Sequence, residues 1–86
     1  MSVIAPRRTR GHWMREPWPR TVEGEVAALR VAFPLWEVEH RADADDGFPF
    51  RATRPRADGS HHGRLAYDGR GLGLAMEQSE AEPDLW

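Results

Sequence analysis

The spacing of apolar residues changes period twice along the chain. Val22, Val26, Leu29 and Phe33 recur at the three-to-four-residue interval of one helix face. Thr21 stands before them as an N-cap, and Glu23 and Glu25 occupy a first turn where the positive end of the helix dipole favours carboxylates. This predicts a helix opening at Thr21 and ending before Pro34, weakened by Gly24, because glycine costs up to about 1 kcal/mol against alanine in a helix. After Pro34 the period drops to two. Trp36, Val38 and His40 fall on one side and Glu37, Glu39 and Arg41 on the other, the pattern of a half-buried strand. Asp43, Asp45, Asp46 and Gly47 supply turn chemistry, and Phe48, Phe50 and Ala52 then alternate with Arg51 and Thr53 as a return strand. Pro49 lacks an amide hydrogen, which places it at an edge or a bulge.

Residues 55–63 read as a polar loop around Asp58, Gly59 and Ser60, and Leu65 and Tyr67 as a short third strand. From Asp68 two patterns compete. Leu72, Leu74 and Met76 alternate as a strand does, whereas Leu72, Ala75, Met76 and Ser79 fit a helix with Asp68 as its N-cap. The polar run 77–82 is a poor strand and a reasonable helix end, so the helix is preferred despite Gly69, Gly71 and Gly73. Pro83 closes it and Trp86 trails beyond. Upstream, Pro6, Pro17 and Pro19 break any regular element. The expected layout is a small single α+β domain over residues 21–82: a helix, a two- or three-stranded antiparallel sheet and a C-terminal helix, with helices on one sheet face. An extended arm (1–20) precedes it and a tail (83–86) follows.

The run Val26, Leu29, Arg30, Phe33, Pro34, Trp36, Val38, followed by Phe50, Arg51, Ala52, Thr53 and Arg54, resembles a group of small actinobacterial proteins of unknown function. In that group a helix leads through leucine-arginine and phenylalanine-proline-glycine-tryptophan into an arginine-rich hairpin closing on alanine-threonine-arginine. This chain has Leu35 in place of the glycine and Phe48 and Phe50 where tryptophans are usual. The resemblance implies an α+β fold and a bacterial cytoplasm, and it transfers no activity and no site residues.

At 86 residues the core must be small, and with no cysteine neither a disulfide framework nor a thiolate metal site can staple it. Partner binding or self-association would add stability. The N-terminus offers no apolar run of signal-peptide length before Arg7 and Arg8, no such run follows them, and no stretch is long enough to span a membrane, so a cytoplasmic protein is expected. All twelve basic residues are arginine. Net charge is only −2, yet arginines crowd residues 7–20 and carboxylates residues 77–84, so that the first segment is either a nucleic-acid arm or a partner for the other end.

Catalytic signatures are missing. His12, His40, His61 and His62 match no zinc spacing. The Asp43–Gly47 stretch lacks the closing glutamate of a calcium loop, Arg54 standing at that position. Gly69-Arg70-Gly71 is only a fragment of a phosphate-binding fingerprint, and no serine, threonine or cysteine occupies a nucleophile motif. No enzyme activity, metal or cofactor is expected. The suggestive element is the arm, where Arg7, Arg8, Arg10 and Arg15 interleave with Trp13 and Trp18. Arginine and tryptophan are enriched at protein-binding hot spots, and the same pair neutralises phosphates and stacks on bases. Outside the arm the chain is not basic. The leading expectation is therefore a small non-catalytic adaptor or regulatory protein acting through contact with another protein or with itself as a homodimer. The alternative is an accessory nucleic-acid binder using the same arm. Its indoles must pack either on a partner or on the small core, and a free arm would be removable at residues 1–20 without loss of the fold.

Overall fold

The computed structural model describes residues 11–86, and these form an α+β domain. Its elements are α1 (Val22–Ala32), β1 (Glu37–His40), β2 (Phe50–Pro55), β3 (His61–Ala66), α2 (Gly69–Glu80) and a single 3-10 turn, Pro83–Leu85. The strands pair antiparallel in the order β1-β2-β3. Both helices pack on one face of that sheet, and the other face, with Glu37, Glu39, Thr53 and Leu65, is exposed. Among the described residues no helix is long and apolar enough to cross a membrane.

Each helix starts where its cap chemistry dictates. Thr21 Oγ1 accepts the Gly24 amide at 3.0 Å, and Asp68 Oδ1 accepts the Gly71 amide at 2.7 Å. Each cap satisfies one of the amides that a helix N-terminus leaves unpaired. Val26, Leu29 and Phe33 of the first helical stripe meet Leu72 and Met76 of α2 over Val38, Phe50, Ala52 and Ala66 of the sheet. The strand register sets that face out in rows: His40, Phe50 and Ala66; then Val38, Ala52 and Arg64; then Trp36, Arg54 and His62. Hydrophobic at the end nearest the 41–49 turn, the covered face becomes cationic and aromatic at the other.

Three boundaries differ from the sequence pattern. β2 begins at Phe50, not Phe48: Asp46 Oδ1 accepts the Phe48 amide at 2.9 Å and Gly47 sits at φ +78°, which hold residue 48 in the turn and leave its ring 45 % exposed. β3 begins at His61, so the 55–63 loop shrinks to a tight turn built by Gly59 at φ +90° and by Asp58 accepting from the Ser60 amide and hydroxyl. His62 and Arg64 point to the helix-covered face, and polar residues on the inward side hide the alternation. Finally, Trp86 does not trail. Its ring lies against Trp36, His62 and the guanidinium of Arg54, and its Nε1 donates to the Ser79 carbonyl at 3.2 Å.

Residues 11–20 are irregular, as the prolines require, but they lie against the helices. Trp13 is 7 % exposed and belongs to the core, edge-on to Phe33 and to Trp18. Glu77 fastens the segment: its carboxylate accepts the Gly11 amide at 2.7 Å and the Trp13 indole N–H at 3.0 Å. Trp18 Nε1 donates to Glu25 at 3.0 Å. These contacts explain the glycines that α2 carries against its helix propensity. A Cβ on Gly73 would stand 2.6 Å from Cζ3 of Trp13 and nearer still to the ring's outer edge, while a Cβ on Gly69 would meet Glu25 Cδ at 2.9 Å. The helix accepts the propensity cost because the indole lies directly on its backbone.

Candidate functional site

Of the residues marked by the sequence, Arg7, Arg8 and Arg10 lie outside the described residues. Trp13, Arg15 and Trp18 are brought to one place, where the 11–20 segment runs beside α1. Between them is an open groove of about 680 Å³, with Arg15, Pro17 and Trp18 along one wall and Ala28, Val31 and Ala32 along the other. Pro17 and Pro19 stiffen the first wall, since each fixes its own φ. The second wall exists because α1 carries apolar residues outside its buried stripe. Val31 is out of phase with Val26, Leu29 and Phe33 and is 74 % exposed, and Leu35 just beyond the helix is 60 % exposed. Apolar exposure on the wall of a structured groove, as at Val31, is characteristic of contact surfaces. Val31 and Leu35 carry no motif, but their displacement from the helical stripe was readable in the sequence.

The groove's polar rim is formed by His12 and the cationic Arg15. Glu16 and Glu25 are engaged elsewhere, the first with Arg70 at 3.8 Å and the second with the Trp18 indole. Trp13 offers the groove little more than an edge. Its rings are enclosed by Phe33, Trp18 and the α2 backbone at Gly73, and its N–H is taken by Glu77. A second depression, of about 570 Å³, lies beside β1 and is lined by charges of both signs, including Arg30, Glu37, Glu39 and Arg51. There Arg30 donates through Nε and Nη2 to the Val38 carbonyl at 3.1 and 2.9 Å. That contact caps an edge strand that would otherwise present an unpaired acceptor.

A polar cluster that no sequence spacing signals lies at the other end of the sheet. His62 Nε2 is 3.0 Å from Ser79 Oγ, and Arg64 Nη1 donates to the same oxygen at 2.9 Å. Arg56 Nη2 lies 3.2 Å from His62 Nδ1. A guanidinium only donates, so Nδ1 is the acceptor, the ring proton is on Nε2, and Nε2–H donates to Ser79. This is the reverse of what nucleophile activation requires, where the imidazole accepts from the serine and a carboxylate orients its other nitrogen. Ser79 is also only 1 % exposed. The pair therefore works as an internal brace between β3 and α2. Among the described residues no group of three histidine or carboxylate side chains converges as metal ligands.

The brace makes stability depend on pH. Burial first, and then the charges of Arg56 and Arg64, hold the His62 imidazole below its ordinary value of 6.5. The unfolded chain thus takes up a proton at higher pH than the folded chain. Stability is full above about pH 6.5 and is lost as the pH falls through the lowered value of the folded state. Asp46, held below its ordinary value of 3.8 chiefly by the Phe48 amide, and Asp58, held there by the Ser60 hydroxyl, titrate well outside that window. The urea midpoint is expected to drop between about pH 7 and about pH 5, and His62→Gln to flatten that slope. An unchanged slope in the variant would assign the acid sensitivity to other groups.

No protein-family model, no curated protein and no solved structure matches the chain, so the functional reading rests on its own groove and charges.

Proposed function

We propose that the chain is a small non-catalytic adaptor or regulatory protein of a bacterial cytoplasm, acting through protein–protein contact at the groove between residues 11–20 and α1. The single observation that carries this reading is the exposure of Val31 on the wall of a groove faced by Pro17 and Trp18. An exposed aliphatic side chain facing a rigid proline-tryptophan wall favours an apolar polypeptide anchor, ringed by polar contacts. The Arg15 guanidinium on the rim favours a partner with carboxylates around that anchor, and a second copy of the chain is the other polypeptide that fits the description. Nucleic-acid binding through the same segment has less support. Stacking needs accessible ring faces, whereas Trp13 is enclosed and the opposite wall of the groove is aliphatic.

The test uses Val31→Glu, which alters an exposed position and is expected to change stability by no more than about 0.5 kcal/mol. Wild-type protein and variant are used as bait in an extract of the source cells, with and without nuclease, and the oligomeric state of each is measured by sedimentation. Recovery of a nuclease-insensitive protein by the wild type, reduced at least about tenfold by Val31→Glu, is the expected result; a dimer that the variant converts to monomer would identify the partner as a second copy. Recovery of nucleic acid alone, unaffected by Val31→Glu, would replace this reading with the nucleic-acid one.

A further inference from the structure

Three arginines gather on the helix-covered face of the sheet at its Trp36-Arg54-His62 end. Arg54 and His62 are cross-strand partners, Arg64 is one row away on β3, and Arg56 follows β2 with its amide donating to the Ser60 carbonyl at 2.7 Å. Glu80 bridges to Arg54 at 3.3 Å while the Arg54 guanidinium lies 3.8 Å from the centre of the Trp86 ring, and the Asp58 carboxylate acts on Arg56 through its charge without touching it. The other two are met by neutral acceptors. Arg64 reaches Ser79 Oγ and Gln78 Oε1, Arg56 reaches His62 Nδ1, and Arg56 Nε is enclosed with no partner.

Both guanidiniums are half-buried, and both lie close enough to the His62 imidazole to disfavour its protonation. Partly desolvated charges that no carboxylate contacts are costly, and an unsatisfied enclosed donor calls for a physical explanation. A hydrophobic or purely structural role would be served as well by a neutral donor at either position. What distinguishes arginine is its fixed fork of donors, which matches oxyanions.

We propose that Arg56, His62 and Arg64 form a binding site for a phosphate group. A phosphate monoester or inorganic phosphate carries about −1.5 to −2 charges at neutral pH and several acceptor oxygens, which suits two guanidinium forks that no carboxylate contacts. The site is separate from the groove and does not rest on the protein-contact reading. Binding there is coupled to the imidazole. The charged and titratable groups around His62 are Arg54 and Arg56 at the end of β2, Arg64 on β3, and Glu80 on α2; Ser79, Trp36 and Trp86 complete the surround. With two guanidiniums beside it the imidazole resists protonation, and a bound dianion reverses that balance, so phosphate and proton favour each other.

The experiment follows the full chain in matched ionic strength with sodium phosphate, O-phosphoserine or sodium chloride, reading thermal unfolding and the His62 titration by NMR, the latter assigned by its loss in His62→Gln. At several-fold excess over Kd, phosphate is expected to raise Tm by about 4–8 °C over chloride. The His62 midpoint is expected to rise by about one unit or more. Arg56→Gln should abolish both effects. A stronger response to phosphoserine would show that the group arrives on a phosphorylated residue, and a stronger response to inorganic phosphate that it arrives free. If wild-type protein responds to phosphate no more than to chloride and His62 titrates at the same pH in both, the site does not exist. That comparison needs no variant, so a folding defect in any substitution does not affect its outcome.

Discussion

Gly73→Ala is expected to destabilise the domain by about 2–4 kcal/mol, although helix propensity alone predicts a gain of about 1 kcal/mol. The new methyl group occupies the space of the Trp13 six-membered ring, overlapping Cη2 and Cζ2 and standing 2.6 Å from Cζ3. A flexible side-chain tip could swing aside. An indole held edge-on by Phe33 and Trp18, with its N–H on Glu77, has no such freedom, so either the helix shifts or the ring leaves the core. Expulsion of the ring sets the ceiling, at the roughly 3–5 kcal/mol that removing a buried tryptophan costs. The mechanism also predicts a change of sign. In a Trp13→Ala background the methyl no longer collides, and Gly73→Ala should become neutral or stabilise by up to about 1 kcal/mol. Urea unfolding of the four proteins of this cycle measures the effect; a stabilising Gly73→Ala in the wild-type background would show that the indole does not rest on α2.

Removal of residues 1–20 is expected to unfold the chain, the opposite of what a free arm would give. Trp13 alone accounts for about 3–5 kcal/mol, in a domain class whose whole stability is about 5–15 kcal/mol. The deletion also takes away half-buried Trp18, its bond to Glu25, and both groups that Glu77 holds. What remains exposes Phe33, Leu72 and the glycine face of α2 to water. Far-UV circular dichroism and amide dispersion of the 21–86 fragment measure the effect. A fragment with dispersed amides and a cooperative urea transition would place the segment outside the folded unit. Trp13→Ala in the full chain should fall between the two, folded but with a lowered urea midpoint.

How legible the fold was depends on how local its cause is. Thr21 and Asp68 cap their helices through bonds to residues three positions on, so the cap and the periodicity after it sufficed for α1, whereas for α2 the cap had to be weighed against a competing strand period. The period-two run at Val38 and at Phe50 and Ala52 sufficed for β1 and β2, because their inward side is apolar. The third strand was expected only at Leu65 and Tyr67, and its true extent, His61–Ala66, escaped because His62 and Arg64 face inward, made tolerable by Ser79 seventeen and fifteen residues away. Its length was set by a partner in α2, and no window on the strand itself contains that information. The same holds for the candidate groove. The arginine and tryptophan residues marked the correct segment, yet the opposite wall is α1, and Val31 becomes significant only when Trp18 is placed beside it.

Residue spacing and bonds spanning a few positions were enough to dictate α1, the antiparallel hairpin and the α+β class, and to favour a helix over a strand after Asp68. Packing between distant segments was needed to establish that Trp13 is a core residue, that Gly69 and Gly73 are a seat for other side chains, and that Trp86 closes the far end of the sheet. It also brought Arg56, His62, Arg64 and Ser79 together. These depend on contacts between segments up to 66 residues apart, such as Glu77 with the Gly11 amide. An indole or a glycine carries the same local preferences whether its partner is solvent, another protein or the far end of its own chain, and only packing distinguishes among them.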